Sequence, residues 1–423
     1  MARMSISVRT ALCLLTLAVG PAAAAAQPPL PQPAPPAAEP SPDPAPATDP
    51  ASEPTADEPA AEEHDPAVHV TYEDGLVARS ADEEFEMNVN LRTQTRFEAV
   101  FEDSISDWQN HFVIPRLRFQ LEGHAWGEDT TYKSEFDFSN RGNPALKDFY
   151  VDHAFYMPFQ DVHVRAGQWK KPFARHELVS DFGSEFNERA LANGLNDIGR
   201  DLGLAIHNGY DRSPDGLEWA VGVFNGTGDA DKSTSSLDCD EPDDARTCTP
   251  STPSNTPTDL DTLFVAHVGW NMGGIKGYSE ADLEGGPLRL SVGLSYQADF
   301  NDFNKDLEGD LLVEHGAVLD GLVKFEGIDV QAAIYARKRG SADPDFSYLG
   351  QAGYMIVPKT YQVAARYSWT PAGSSDDVQE ALGAFTWFFK GHNFKWATDA
   401  GIIKASASDT TDIQVRCQIQ ALF

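Results

Sequence analysis

Residues 85–101 read FEMNVNLRTQTRFEAVF, and their alternation decides the fold. Phe85, Met87, Val89, Leu91, Thr93, Thr95, Phe97, Ala99 and Phe101 fall on one face; Glu86, Asn88, Asn90, Arg92, Gln94, Arg96 and Glu98 fall on the other. Successive strand side chains point to opposite sides, so a sustained period of two describes a β-strand with one apolar and one strongly polar face. Ordinary strands run about 5–6 residues and a tilted membrane strand about 9–11. This run is long enough to cross a bilayer.

Similar runs follow at 112–126, 130–138, 146–156, 161–170, 200–209, 216–225, 262–271, 287–299, 310–325, 327–339, 348–357, 360–370, 379–390, 393–405 and 411–423. With the first they make sixteen, an even number, as expected of a bacterial single-chain barrel. If the first strand starts from the periplasm, even-numbered strands should lead into tight turns and odd-numbered ones into longer loops. The odd connections include 172–199 and 226–261, the two longest; among the even ones only 271–286 is long. The expected fold is an all-β transmembrane antiparallel β-barrel of about sixteen strands.

The final run places Ile413, Val415, Cys417, Ile419, Ala421 and Phe423 on one face, with Gln414, Arg416, Gln418, Gln420 and Leu422 on the other. A terminal aromatic on such a strand resembles the signal by which the barrel assembly machinery recognises outer-membrane barrels. Polar residues facing inward and apolar ones outward suit a water-filled lumen wrapped by outer membrane lipid. Tyr156, Trp169, Trp270, Tyr361, Trp369, Trp387 and Trp396 stand near strand ends and suggest interfacial girdles.

Before the barrel, residues 1–26 carry Arg3 and Arg9, an apolar run from Ala11 to Val19 and small residues near Ala26, which reads as a signal peptide. Residues 27–69 form a Pro- and Ala-rich stretch without apolar periodicity, read as a disordered periplasmic arm. The barrel domain is then 70–423.

The formal charge is -33, with -11 in residues 1–84 and -22 in 85–423. So acidic a surface excludes nucleic acid as a partner, because binding phosphates relies on basic side chains. Cys239 and Cys248 are candidates for one local disulfide in an oxidising compartment, and Cys417 reads as a packing residue. The acidic loop 226–261 invites either weak calcium binding or simple solvation.

Residues 164–206 contain strand-like flanks around a charged excursion: VRAGQWKKPFARHEL, then FNERALA, then GRDLGLAI. With the opening strand, YLGQAGYMIVPKTYQVAARYSWTP near the end, and FFKGHNFKW with RCQIQALF, these stretches resemble the phosphate-selective porins O and P. The resemblance runs from about residue 70 to the end. It implies a homotrimeric outer-membrane channel of a Gram-negative bacterium, with the long third loop, 172–199, folded into the lumen as a constriction, and passive passage of small anions such as phosphate.

An anion filter replaces part of the hydration shell with fixed donors, and the planar fork of Arg suits phosphate. By alternation the inward candidates are Arg92, Arg96, Arg116, Arg118 and Arg165; on the loop and its flanks they are Lys170, Lys171, Arg175, Arg189 and Arg200. Each has a bland alternative, pairing with an inward carboxylate such as Glu98, Glu122, Glu135, Asp137, Asp148 or Asp152. The acidic balance keeps a general or cation-preferring porin open, and a structural barrel anchoring the envelope through its Pro-rich arm is a rival. No enzyme is expected, and no cofactor or metal: His176-Glu177 lacks a second zinc-ligand His and no Gly-x-Ser-x-Gly occurs.

Overall fold

A computed structural model describes residues 68–139, 144–194, 196, 199–226, 236–240, 247–251, 262–276, 278–300, 313–371 and 377–423. The expected signal peptide, nearly all of the arm and most of the acidic loop lie outside the described residues. Strands β1 (Val68–Tyr72) and β2 (Leu76–Ser80) form a hairpin whose turn uses positive φ at Asp74 and Gly75. β2 then lies along the start of β3 (Phe85–Glu102), with Leu76 opposite Val89 and Arg79 opposite Glu86.

β4 (Asp107–Ala125), β5 (Thr130–Asp137), β6 (Ala145–Tyr156), β7 (Asp161–Lys170), β8 (Arg200–His207) and β9 (Gly216–Phe224) follow, each antiparallel to its predecessor. β10 (Ser236–Asp240) and β11 (Thr247–Ser251) form a separate hairpin whose register sets Cys239 opposite Cys248. β12 (Leu263–Met272) pairs with β9. The rest are β13 (Arg289–Asp299), β14 (Glu314–Phe325), β15 (Ile328–Arg339), β16 (Asp345–Val357), β17 (Tyr361–Pro371), β18 (Asp377–Lys390), β19 (Phe394–Ala405) and β20 (Thr410–Leu422).

β20 pairs with β3, Ile413 opposite Phe101 and Leu422 opposite Arg92. This closes a ring of sixteen antiparallel strands, β3–β9 with β12–β20. At the seam Phe423 exchanges both backbone hydrogen bonds with Leu91.

The ring is apolar outside and polar within. On β13, Val292, Leu294 and Tyr296 are exposed while Ser291, Ser295 and Gln297 are buried; on β15, Val330 and Ile334 are exposed while Asp329 and Gln331 are buried. Such a pattern is stable only where hydrocarbon surrounds the outside and polar groups meet one another inside. Of the described residues, no helix is long and apolar enough to cross a membrane.

Three sequence expectations change. Residues 68–80 form a hairpin, and β1 starts two residues inside the stretch assigned to the arm. β4 starts at Asp107 rather than 112. Trp169, assigned to a girdle, is 2% exposed and packs inside the barrel against Phe224, at 5.0 Å between ring centroids. It has the same strand parity as Arg165, so both point inward. Tyr156, Trp270 and Trp396 do lie exposed on the outer face.

A charge on the lipid side of a barrel strand costs about 2–4 kcal/mol near mid-bilayer. Leu294→Arg should lower folding stability in liposomes by that amount, whereas Gln297→Arg on the same strand should change it far less. Denaturant titration of the heat-modifiable folded band checks both.

Candidate functional site

The connection 171–199 contains two short helices, α1 (Arg175–Leu178) and α2 (Leu191–Gly194), and is closed at its neck by Lys171 N–H donating to Gly199 O at 3.3 Å. Apolar packing anchors it to one wall: Phe173, Ala174, Ala190 and Ala192 join Ala205, Phe224, Leu263, Val265 and Tyr335 in a buried cluster. Burying one such side chain as large as Phe173 contributes about 1.5–3 kcal/mol.

Hydrogen bonds then carry the segment across to other walls. Gln94 Nε2 of β3 donates to Asp181 O at 3.2 Å, Gln420 Nε2 of β20 to Phe182 O at 2.9 Å, and Gln351 Nε2 of β16 to Glu185 Oε2 at 3.1 Å. Asn187 N–H donates to Asp399 Oδ2 of β19 at 2.8 Å. From the opposite rim, Glu280 in the long turn 273–288 accepts from Glu185 N–H at 2.8 Å and meets His176 Nδ1 at 3.1 Å.

Space remains between this segment and the wall made by β3–β8. A cavity of about 240 Å³ is lined by Arg92, Arg118, Lys133, Arg165, Lys170 and Arg200, against Glu135, Asp148 and Asp211. Its cations exceed its carboxylates two to one.

Several of the cations are neutralised. Arg118 pairs with Glu135, Asp137 and Asp181 at 3.1, 3.0 and 2.7 Å. Arg200 pairs with Asp148 at 2.7 Å and Glu135 at 3.3 Å, and Arg165 with Asp152 and Asp211 at 2.7 Å each. Others are not. Arg92 comes only within 3.8 Å of Glu135, and its Nε has no hydrogen-bond partner among the described residues. Lys133 stands 3.5 Å from Asp148, and Lys170 Nζ binds the carbonyls of Glu177 and Val179 at 2.7 and 2.8 Å.

Five of the ten residues expected from sequence therefore line the cavity: Arg92, Arg118, Arg165, Lys170 and Arg200. Arg96 and Arg116 lie beside it, holding Glu188 at 2.7 and 2.8 Å. The other three face elsewhere. Arg175 is buried over the Tyr278 ring at 4.4 Å, with its N–H donating to Asp320. Arg189 braces the loop through the carbonyls of Glu177 and Val179 and the Asp181 carboxylate. Lys171 is fully buried, with Nζ 5.4 Å from the Phe173 ring centre. Lys133 escaped notice, although it shares the inward parity of Glu135 and Asp137.

Asp152, His163 and His207 stand close enough to hold a metal ion. Gly209 N–H donates to His207 Nδ1 at 2.9 Å, so Nε2 carries the proton and donates to Asp152 at 2.9 Å. With Arg165 also on Asp152 at 2.7 Å, the group forms a hydrogen-bond network.

Residues 85–238 match the family model described as phosphate-selective porin O and P. Among solved structures the chain is similar to the anion-selective porin from Comamonas acidovorans, at 12% identity over 80% of this chain and 100% of that one, with a TM-score of 0.52. The outer membrane channel DcaP of Acinetobacter baumannii matches at 12% identity over 82% and 99%, TM-score 0.53, and Salmonella typhi OmpF, in complex with daunomycin, at 12% over 84% and 100%, TM-score 0.52. No curated protein sequence matches. The chain thus has the barrel fold of outer-membrane channels and, over residues 85–238, matches the sequence model of a porin family.

Two carboxylates of the loop, Glu188 and Asp181, are held ionised, whereas burial, with Asp329 and Glu280 nearby, pushes the Glu185 carboxyl well above the usual range. Burial would raise Glu188, but Arg116 and Arg96 bring it down to about 2, and Arg116, Arg189 and Arg118 likewise overcome burial to hold Asp181 well below the usual carboxylate range. A depressed carboxylate stabilises the folded arrangement above its ordinary value of 4.5 and loses that contribution as pH falls through about 2. The share of loop docking that rests on Glu188 and Asp181 should therefore be unchanged from about pH 8 to 5 and weaken only below about 4. Single-channel current noise recorded across that range checks this.

Proposed function

We propose that this porin conducts small hydrophilic anions, phosphate-like ones among them, across the outer membrane of a Gram-negative bacterium, with 171–199 forming the constriction. The observation that carries the reading is the cationic cavity beside that segment, where Arg92 and Lys133 come no closer than 3.8 and 3.5 Å to a carboxylate. The fold it shares with an anion-selective porin agrees with this.

The acidic total of the chain points the other way at long range, since a negative mouth repels anions. Nine of the carboxylates belong to residues 226–261, the loop that the sequence assigns to the outside of the lumen. Within a narrow path the nearest fixed charges dominate, because salt screens exposed charges beyond about 8–10 Å.

In a water-filled passage a unit charge about 5 Å from the ion contributes about 0.8 kcal/mol, or about fourfold in occupancy. Arg92→Gln with Lys133→Gln should therefore lower the anion-to-cation permeability ratio severalfold and raise the phosphate concentration that half-blocks a KCl current. Ratios matching the wild type would remove both residues from the ion path.

The assembly implied by the family resemblance completes the proposal. Three barrels associate, the 27–69 arm lies in the periplasm, and the strand ending at Phe423 is read by the barrel assembly machinery. Detergent-extracted protein should migrate as a trimer before heating, and a monomer at every detergent level would count against it. Protease added to whole cells should spare the arm, and Phe423→Ala should reduce the heat-modifiable barrel in membranes; cleavage of the arm or undiminished assembly would count against those two parts.

A further inference from the structure

Glu188 is gripped from two neighbouring strands. Arg96 Nη2 on β3 lies 2.7 Å from Oε1, and Arg116 Nη2 on β4 lies 2.8 Å from Oε2. Two guanidiniums thus converge on one carboxylate, Arg96 on Oε1 and Arg116 on Oε2 with a longer 3.4 Å contact to Oε1, which is the arrangement by which arginines bind an oxyanion. The arginines are 5% and 12% exposed, but the Glu188 side chain remains 34% exposed, so part of it faces open space.

The clamp does not depend on its occupant. Arg96 also pairs with Glu98 at 2.7 Å and donates to Asn187 O at 3.1 Å. Arg116 donates to Gln94 Oε1 at 3.0 Å and stands 3.3 Å from Asp181. The backbone around residue 188 is fixed separately, by Arg366 donating to Glu188 O at 2.8 Å and by the Asn187 bond to Asp399. The carboxylate could swing out while both guanidiniums and the chain stay where they are.

We propose that Glu188 is a tethered anion occupying a two-arginine oxyanion subsite on the ion path, and that it determines specificity by excluding any anion that cannot displace it. This rests on the anion-channel reading. With Glu188 held at about 2 by Arg116 and Arg96 against the effect of burial, the subsite stays filled at any working pH, and displacement is a contest between anions. A chloride ion offers no pair of oxygens to the two forks. A dianionic oxyanion of the phosphate type offers both the oxygens and more charge than a carboxylate, so that class is the one admitted.

The test compares inorganic phosphate block of KCl current through wild-type channels, Glu188→Gln channels and the double variant Arg96→Gln, Glu188→Gln, after checking that each gives the heat-modifiable folded band. Glu188→Gln should lower the half-blocking phosphate concentration by about tenfold, the order of one charge-assisted pair, and the double variant should lose that gain. An unaltered half-block in Glu188→Gln would overturn the proposal, as would a gain that survives in the double variant, which would mean the loop had merely loosened. Should Glu188→Gln fail to fold, Glu188→Asp retracts the charge by one methylene and should give a partial gain; no gain there would equally overturn it. A cation-preferring wild type would count against the anion-channel reading alone, since a phosphate gain on removing Glu188 would still support the clamp.

Discussion

A backbone N–H or C=O that faces hydrocarbon has no water to bond, and leaving it unpaired costs several kcal/mol. The rest of this structure follows from meeting that constraint with strands. The sheet has to close, and it does so where β20 meets β3, finishing with the two bonds between Phe423 and Leu91. Closure puts lipid on one side only. The outer face then takes Val292, Leu294 and Ile334, and the inner face is free to hold charges that no soluble core would accept.

That freedom creates its own problem, because charges crowded inside a barrel must be paired or wet. The first strands bring Arg92, Arg96, Arg116, Arg118, Arg165 and Arg200 to one side of the interior. Wall carboxylates neutralise some, and the 171–199 segment supplies others in Asp181 and Glu188. An apolar foothold around Phe173 holds the segment against the opposite wall, so its carboxylates reach the arginines without filling all the space before them. What is left open is cationic.

The barrel was legible because period-two alternation is forced wherever lipid touches one face and water the other, and all sixteen strand positions follow from it. The ends were less so. Asp107 to His111 continue β4, but they alternate nothing apolar against anything polar, as expected where no hydrocarbon selects one face. The β1–β2 hairpin is short and outside the ring, although Asp74-Gly75 between two alternating runs is a turn signal. For the site, parity alone turns Arg92, Arg118 and Arg165 inward, where they line the cavity, and does the same for Lys133 and Trp169. It could not tell which loop cations brace the loop. Arg175 and Arg189 are turned away by partners more than 100 residues distant and by loop carbonyls, and neither relation leaves a periodic trace. Leu263 and Val265 are apolar on the inward face of β12, where alternation predicts polar residues, and that break in the pattern marked the foothold.

The central claim is that local lumenal charge, and not the acidic total of the chain, governs what passes. The most direct test is the sign of the zero-current potential of the unmodified porin in a planar bilayer separating unequal KCl solutions. The cationic cavity predicts a potential that drives toward the chloride equilibrium value. A potential near the potassium value would contradict it and give control to the carboxylates.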